Sequence, residues 1–475
     1  MYSIDVWCTP IHSHNARGNR KGSVNFIKKL TTTQRAGAIA ITGGFRTTPT
    51  DSLDAHAALL PMELRVEKAC SNAITRMATL TPEHPLHALL KKSSKGWVKR
   101  HRSPLHILAS IFQIDPSKFE KIPPVRTHPK SRGSHDIHID IPINKDTSKR
   151  VDANAVEQIK VYSDGSAHGG KVRAAAVLKR TGNPDRVLKF HLGTTEQHTV
   201  YEAELVGMIL GLHLIKTEPR NKVKCALSVD NQAALSAIGS KMNKSGQHLA
   251  AAVLKLAKQL KKHGGNGRFR LTFRWSAGHV GIEGNEDADN AAKQAAEGSS
   301  SDNNDLPQYL RKTLGYSLSA TRQSHNEKLK LQWIATWSKS PRYRRISYPD
   351  LLTPYSQKFL KYISSEGVSR TAASRVFQLR VGHAPLNLYL HRFKKVNSAQ
   401  CPACGHPTET VEHYLVQCLK YAHERWPLLS KMRGNPPRLE KILSDTELLA
   451  PLINFIEATE RFKAGPREDP VSNIC

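Results

Sequence analysis

Between residues 157 and 298 the strand and helix signals run in the order β-β-β-α-β-α-β-α, and four carboxylates stand at the ends or on the faces of those elements. Runs at 159–164, 172–179, 186–192, 223–229 and 268–275 predict strands. Tyr201, Leu205, Met208 and Leu212 recur at helical spacing and predict a helix over 199–216; others are predicted over 232–239, 246–261 and from 285. That order predicts an α/β domain, a mixed five-stranded sheet flanked by helices. Asp164 closes the first strand, Glu204 borders the apolar face of the first helix, Asp230 closes the fourth strand, and Asp289 lies in the last helix.

Each acid has an ordinary reading. Asp230-Asn231 can be a strand-to-helix turn with a cap, Asp289 a solvated charge, and Glu204 an exposed residue, as Glu202 is expected to be. Gathered over one sheet edge, however, four acids repel one another unless cations sit between them. Two divalent ions about 3.5–4 Å apart suit phosphodiester hydrolysis, since together they activate water and stabilise both the phosphoryl and the departing oxygens. Mg²⁺ is the expected ion, with Mn²⁺ as a substitute.

Charge points to a polyanionic partner. Lys and Arg number 71 against 40 Asp and Glu, a net charge of +31 and a pI near 9.9. No run resembles a secretory signal or a membrane span. Seven cysteines in 475 residues do not make a disulfide framework, so a reducing intracellular compartment, nuclear or cytoplasmic, is expected.

Outside the central domain the sequence predicts a helical region over 1–115, with starts at Thr50-Asp51 and Pro61. A Pro- and His-rich linker is expected over 116–156, a polar linker over 299–306, and a mainly helical region over 307–475. Cys401, Cys404, His413 and Cys418 have zinc-ligand spacing: Cys-x-x-Cys forms a knuckle, and a helix from near Glu409-Thr410 brings back the other two. His406 is a rival ligand, and metal-free core cysteines are the alternative. Four protein ligands predict a structural ion. Residues 311–345 carry nine Lys or Arg and one acid among Tyr316, Trp333, Trp337 and Tyr343. They read either as a surface for phosphates and unstacked bases or as helices with both tryptophans in a core.

Residues 157–298, about 140 of the chain, resemble the type 1 ribonuclease H family in the order and flanks of the four acids. The resemblance implies cleavage of the RNA strand of RNA–DNA hybrids. The acid matching Asp164 would bridge both ions, those matching Glu204 and Asp230 would complete one, and that matching Asp289 the other. His279 matches the mobile-loop histidine that assists proton transfer or product release, and Glu286 is a weaker candidate for the second ion's water shell. The family often has Pro where Ala277 stands.

The segments Tyr2–Pro10, Gln34–Gly43, Arg46–Pro49 and Leu60–Leu64, followed by the ribonuclease H segment and the Cys-Cys-His-Cys motif at 401–418, are similar to the part after the polymerase in non-long-terminal-repeat (LINE-like) retrotransposon polyproteins. No Asp-Asp dipeptide occurs, so the original polymerase is expected to be absent. The expected function is thus a hybrid-cutting endonuclease; the alternative is a nucleic-acid-binding remnant that no longer cuts.

Overall fold

The computed structural model describes residues 4–13, 20–95, 103–123, 138–219, 223–238, 244–263, 269–278, 280–295, 300–343, 348–365, 367–432 and 437–463. The chain divides into two units: Met1–Trp7 with Ala69–Asn326, and Cys8–Lys68 with Glu327–Cys475. The region expected as one N-terminal body, 1–115, is therefore shared between them. No helix among the described residues is long and apolar enough to cross a membrane.

The first unit is built on the elements β1 (His138–Asp140), α1 (Lys145–Ala153), β2 (Ile159–His168), β3 (Lys171–Lys179), β4 (Arg186–Thr194), α2 (Val200–Thr217), β5 (Lys224–Val229), α3 (Gln232–Ile238), α4 (Gln247–His263), β6 (Arg270–Trp275) and α5 (Glu283–Gln294). The sheet order is β1-β6-β5-β2-β3-β4. β2, β3 and β4 form an antiparallel meander, while β5, β6 and β1 add in parallel. Helix α2 is apolar nearly all round because it is covered on most sides: Leu205, Met208, Ile209, Leu212 and Ile215 are fully buried.

The sheet has six strands, not the expected five, and the extra one falls inside the expected linker 116–156. β1 holds one apolar residue, Ile139, so it carries no alternation to read. Backbone pairing to the edge of β6 holds it, with Arg274 reaching Asp140 at 3.2 Å and Glu157 at 2.8 Å. α1 is equally silent in sequence. Its only apolar residues are Val151 and Ala153, it buries only Ser148, and it is started by Asn144 accepting from the Thr147 N–H at 2.8 Å.

The expected linker 299–306 is annealed to the outer edge of the sheet. The Ser300 and Ser301 hydroxyls accept from the N–H groups of His191 at 3.0 Å and Lys189 at 2.9 Å, which covers part of β4's unpaired edge. Leu306, Leu310 and Leu314 then enter the first unit's core.

In the second unit, helices Val24–Thr42 and Thr50–His56 belong with helices drawn from residues 327–463. Trp333 and Trp337 are each 1% exposed in its core, so the core reading of these tryptophans holds and the surface reading does not. Their indole N–H groups differ. Trp337 donates to the Leu351 carbonyl at 3.1 Å, whereas the buried Trp333 N–H has no partner. Trp337→Phe should therefore cost about 1–3 kcal/mol by orphaning a buried carbonyl, and Trp333→Phe should stay within about 1 kcal/mol. Urea unfolding of the two variants tests this, and equal losses would refute it.

Candidate metal centres

Asp164 lies midway along β2 and is 6% exposed. The next residue must be glycine: a Cβ on Gly165 would stand 2.2 Å from the Glu204 backbone nitrogen. That close approach sets α2 against β2 and brings Glu204, 4% exposed, to Asp164. Asp230 follows β5, where the indole of Trp275 donates to its carbonyl oxygen at 2.9 Å. Asn231 caps α3 by accepting from Ala233 and Ala234, and its side chain also bonds Glu204. Carboxylate oxygens of Asp164, Glu204 and Asp230 lie within 4.8 Å of one another.

Two oxygens of this group are left unsatisfied. Asp164 Oδ2 and Glu204 Oε2 are buried without a hydrogen-bond partner. Burial, then the charges of Asp230 and Asp289, pushes the Asp164 carboxyl up to about 7 against the opposing Lys293. Burial, then Asp230 and Asp164, raises Glu204 well above the ordinary carboxylate range. A hard oxygen donor set with orphaned buried lone pairs fits Mg²⁺ or Mn²⁺, whose charge would relieve the repulsion.

Asp289 stands outside the close triad, although its charge is felt at Asp164. It is on α5, which can approach β2 because Gly284 lies against Tyr162; a Cβ there would meet the ring at 2.2 Å. Lys179 ties the start of that helix to β3 through Glu283 at 2.8 Å and Asp287 at 2.6 Å. The sequence reading missed Lys293, whose ammonium sits 2.7 Å from Asp289 Oδ2; its position four residues on was the available signal. Glu286 is exposed and is not part of the grouping. Glu202 is not the exposed residue expected: it is 1% exposed and closes a capping box, its carboxylate accepting from the Thr199 N–H at 2.8 Å.

His279 lies outside the described residues. The backbone leading to it is described: a Cβ on Gly278 would be 3.1 Å from Asp230 Oδ2, so this turn abuts the carboxylates. Ala277 has a structural use. Its N–H donates to the Ser148 hydroxyl at 3.0 Å, and that hydroxyl donates to the Trp275 carbonyl at 3.2 Å, bolting α1 to the turn. Proline cannot make the first bond. Ala277→Pro should cost about 1–3 kcal/mol, and chemical denaturation showing a neutral or stabilising effect would refute this role for the Ser148 bridge.

In the second unit the ligand atoms of Cys401, Cys404, His413 and Cys418 also lie within 4.8 Å of one another. Cys401 and Cys418 sulfurs are 4.0 Å apart, and Cys404 Sγ is 3.3 Å from His413 Nε2. Tetrahedral zinc with bonds of about 2.3 Å to sulfur needs an S···S edge of about 3.8 Å, so the group fits. The expected helix is a π turn over His413–Gln417. In an α-helix Cys418 would lie about 140° around the axis from His413; the wider turn, closed by Cys418 N–H to His413 O at 2.7 Å, swings it back. The rival His406 stacks on His413 at 4.3 Å and turns its Nδ1 to Thr408, outside the ligand group.

The profile of the RNase H family matches residues 156–297, so the chain carries an RNase H domain there. RNase H1 from the archaeon Halobacterium salinarum is a similar solved structure, with 22% identity over 30% of this chain and 98% of its own and a TM-score of 0.22. The N-terminal RNase H domain of a Mycobacterium tuberculosis protein, solved as a fusion with maltose-binding protein, is similar at 18% identity over 29% of this chain and 96% of its own, also with a TM-score of 0.22. No curated protein matches the chain. β1 and α1 precede the matched stretch.

Proposed function

We propose that this chain cuts the RNA strand of RNA–DNA hybrids at the centre formed by Asp164, Glu204, Asp230 and Asp289. The observation that carries the reading is the convergence of Asp164, Glu204 and Asp230 inside an RNase H domain, the first two buried and each with one carboxylate oxygen that has no hydrogen-bond partner. Two Mg²⁺ ions held there would supply an activated water and neutralise charge on the phosphoryl oxygens. In this reading Asp164, Glu204, Asp230 and Asp289 would hold the ions, Asp289 after releasing Lys293. That release is cheap, because an ion pair with an ammonium 58% exposed contributes little. His279 would handle a proton in the reaction. Selection of the RNA strand rests on contacts to 2′-hydroxyls.

The Asp289–Lys293 pair is also the observation that favours the alternative, a binding remnant whose second ion site is blocked. Incubating the purified chain with a labelled hybrid and Mg²⁺ decides between them. Product from the hybrid, none from a DNA duplex of the same sequence and little with Ca²⁺ supports the nuclease. An intact hybrid leaves the remnant.

We further infer a structural zinc at Cys401, Cys404, His413 and Cys418, and an origin for the chain in a non-long-terminal-repeat retrotransposon polyprotein. The zinc motif following the ribonuclease H segment in the order of those elements supports the origin. The net charge of +31 supports RNA and DNA as partners of the remaining surface.

A further inference from the structure

Beside the zinc-type cluster the second unit holds a cavity of about 430 Å³. Its floor is apolar, with Ala384 and Leu386 buried, Tyr389 and Leu388 form a wall, and His391 and Arg392 stand at the rim. Tyr389 is held rigidly. Phe45 stacks on it at 5.7 Å and 20°, Phe393 packs at 4.9 Å, and its hydroxyl bonds that of Thr47. The outer ring of the group, Phe393, is 40% exposed, as is Leu388.

Cations follow the cavity wall along the chain. From Gly367 to Thr408 the chain has no Asp or Glu, while Arg392, Lys394 and Lys395 follow the wall directly and are exposed. The one acid in the lining, Glu409, is 0% exposed and already spoken for by Arg461 at 2.7 Å and the Asn387 N–H at 2.6 Å, so it presents no open carboxylate to a ligand. Lys394 sits at φ +56, a left-handed position where glycine costs less.

We propose that this cavity takes an unpaired base of single-stranded nucleic acid, while Arg392, Lys394 and Lys395 hold the neighbouring phosphates. A recess lined by apolar side chains and the Tyr389 ring suits the flat face of a base, and the cationic turn suits the backbone on either side. Glu409 clamps both the cavity wall, through Asn387, and Arg461, so the recess and the cysteine knuckle form one block. The first unit would cut; this block would hold strand that is not paired.

The test uses the full chain, with its zinc retained, titrated with labelled oligothymidylate and oligouridylate of about twelve nucleotides. Phe393→Ala and Leu388→Glu, both at exposed positions, should weaken binding about tenfold, and Phe393→Ala should leave the salt slope unchanged. Lys394→Ala with Lys395→Ala should flatten the slope of log affinity against log salt by about 1.4. All three variants should keep wild-type kcat on hybrids, and Asp164→Asn should keep wild-type single-strand affinity, so either site can fail without the other. Single-strand affinity within twofold of wild type for both Phe393→Ala and Leu388→Glu overturns the proposal.

Discussion

Asp164→Asn is expected to lower the rate of hybrid hydrolysis by about 10³-fold or more, the largest effect of any single substitution. Asp164 holds metal in the proposed arrangement, and losing several kcal/mol of transition-state charge stabilisation corresponds to that factor. Hybrid binding should stay near wild type or tighten, because a negative charge facing phosphates is removed. Glu204→Gln and Asp230→Asn should be nearly as severe, since their oxygens complete the same group. Single-turnover kinetics with a separate binding titration checks this. A variant that cleaves like wild type would remove Asp164 from the mechanism.

The same substitution has a stability signature of opposite sign. Folded Asp164 titrates near 7, against about 4 when unfolded. Between those values the folded chain keeps a proton that the unfolded chain has lost. The contribution is therefore full below about pH 4 and is lost as pH rises through 7. In magnesium-free buffer at pH 8, Asp164→Asn should be more stable than wild type by about 2–4 kcal/mol. The gap should shrink toward pH 4 and on adding Mg²⁺. Urea unfolding at both pH values checks it, without chelator, which would also strip a thiolate-bound ion.

The second large effect is expected at the cysteine cluster. Cys401→Ser or His413→Ala should unfold the body around it, because binding free energy at a structural zinc site, about 10–16 kcal/mol in small zinc modules, is folding free energy. Cys401, Tyr414 and Cys418 sit in the second unit's core with Trp333 and Phe455, so the loss should spread beyond the knuckle. Loss of helical signal on chelation, and its return with Zn²⁺, is the expected record. Reduced protein that holds no zinc, or that melts identically with and without chelator, would defeat the site. Asp164-dependent hybrid cleavage tests a different unit and stands or falls separately.

The sequence by itself determined the central elements and the identity of the acids. Apolar periodicity marks α2, strand runs mark β2 to β6, and the order of the acids picks out Asp164, Glu204 and Asp230, whose oxygens the fold brings together, with Asp289 as the proposed fourth. These signals are local, so spacing along the chain reports them. The helix starts at Thr50-Asp51 and Pro61 were legible for the same reason and match helices Thr50–His56 and Met62–Ala78.

What only the tertiary structure decided lies where one partner supplies the stabilisation for another. β1 and α1 carry too few apolar residues to announce themselves; they exist because β6 offers an open edge and Ser148 finds Trp275 and Ala277. Trp333 and Trp337 beside many cations read equally as a surface or a core, and burial against Leu351 and its neighbours settled the matter. The membership of residues 8–68 in the second unit rests on contacts hundreds of residues away, such as Gln378 donating to the Gly43 carbonyl. Pairing between distant segments leaves no period in either of them, so neither segment alone could announce it.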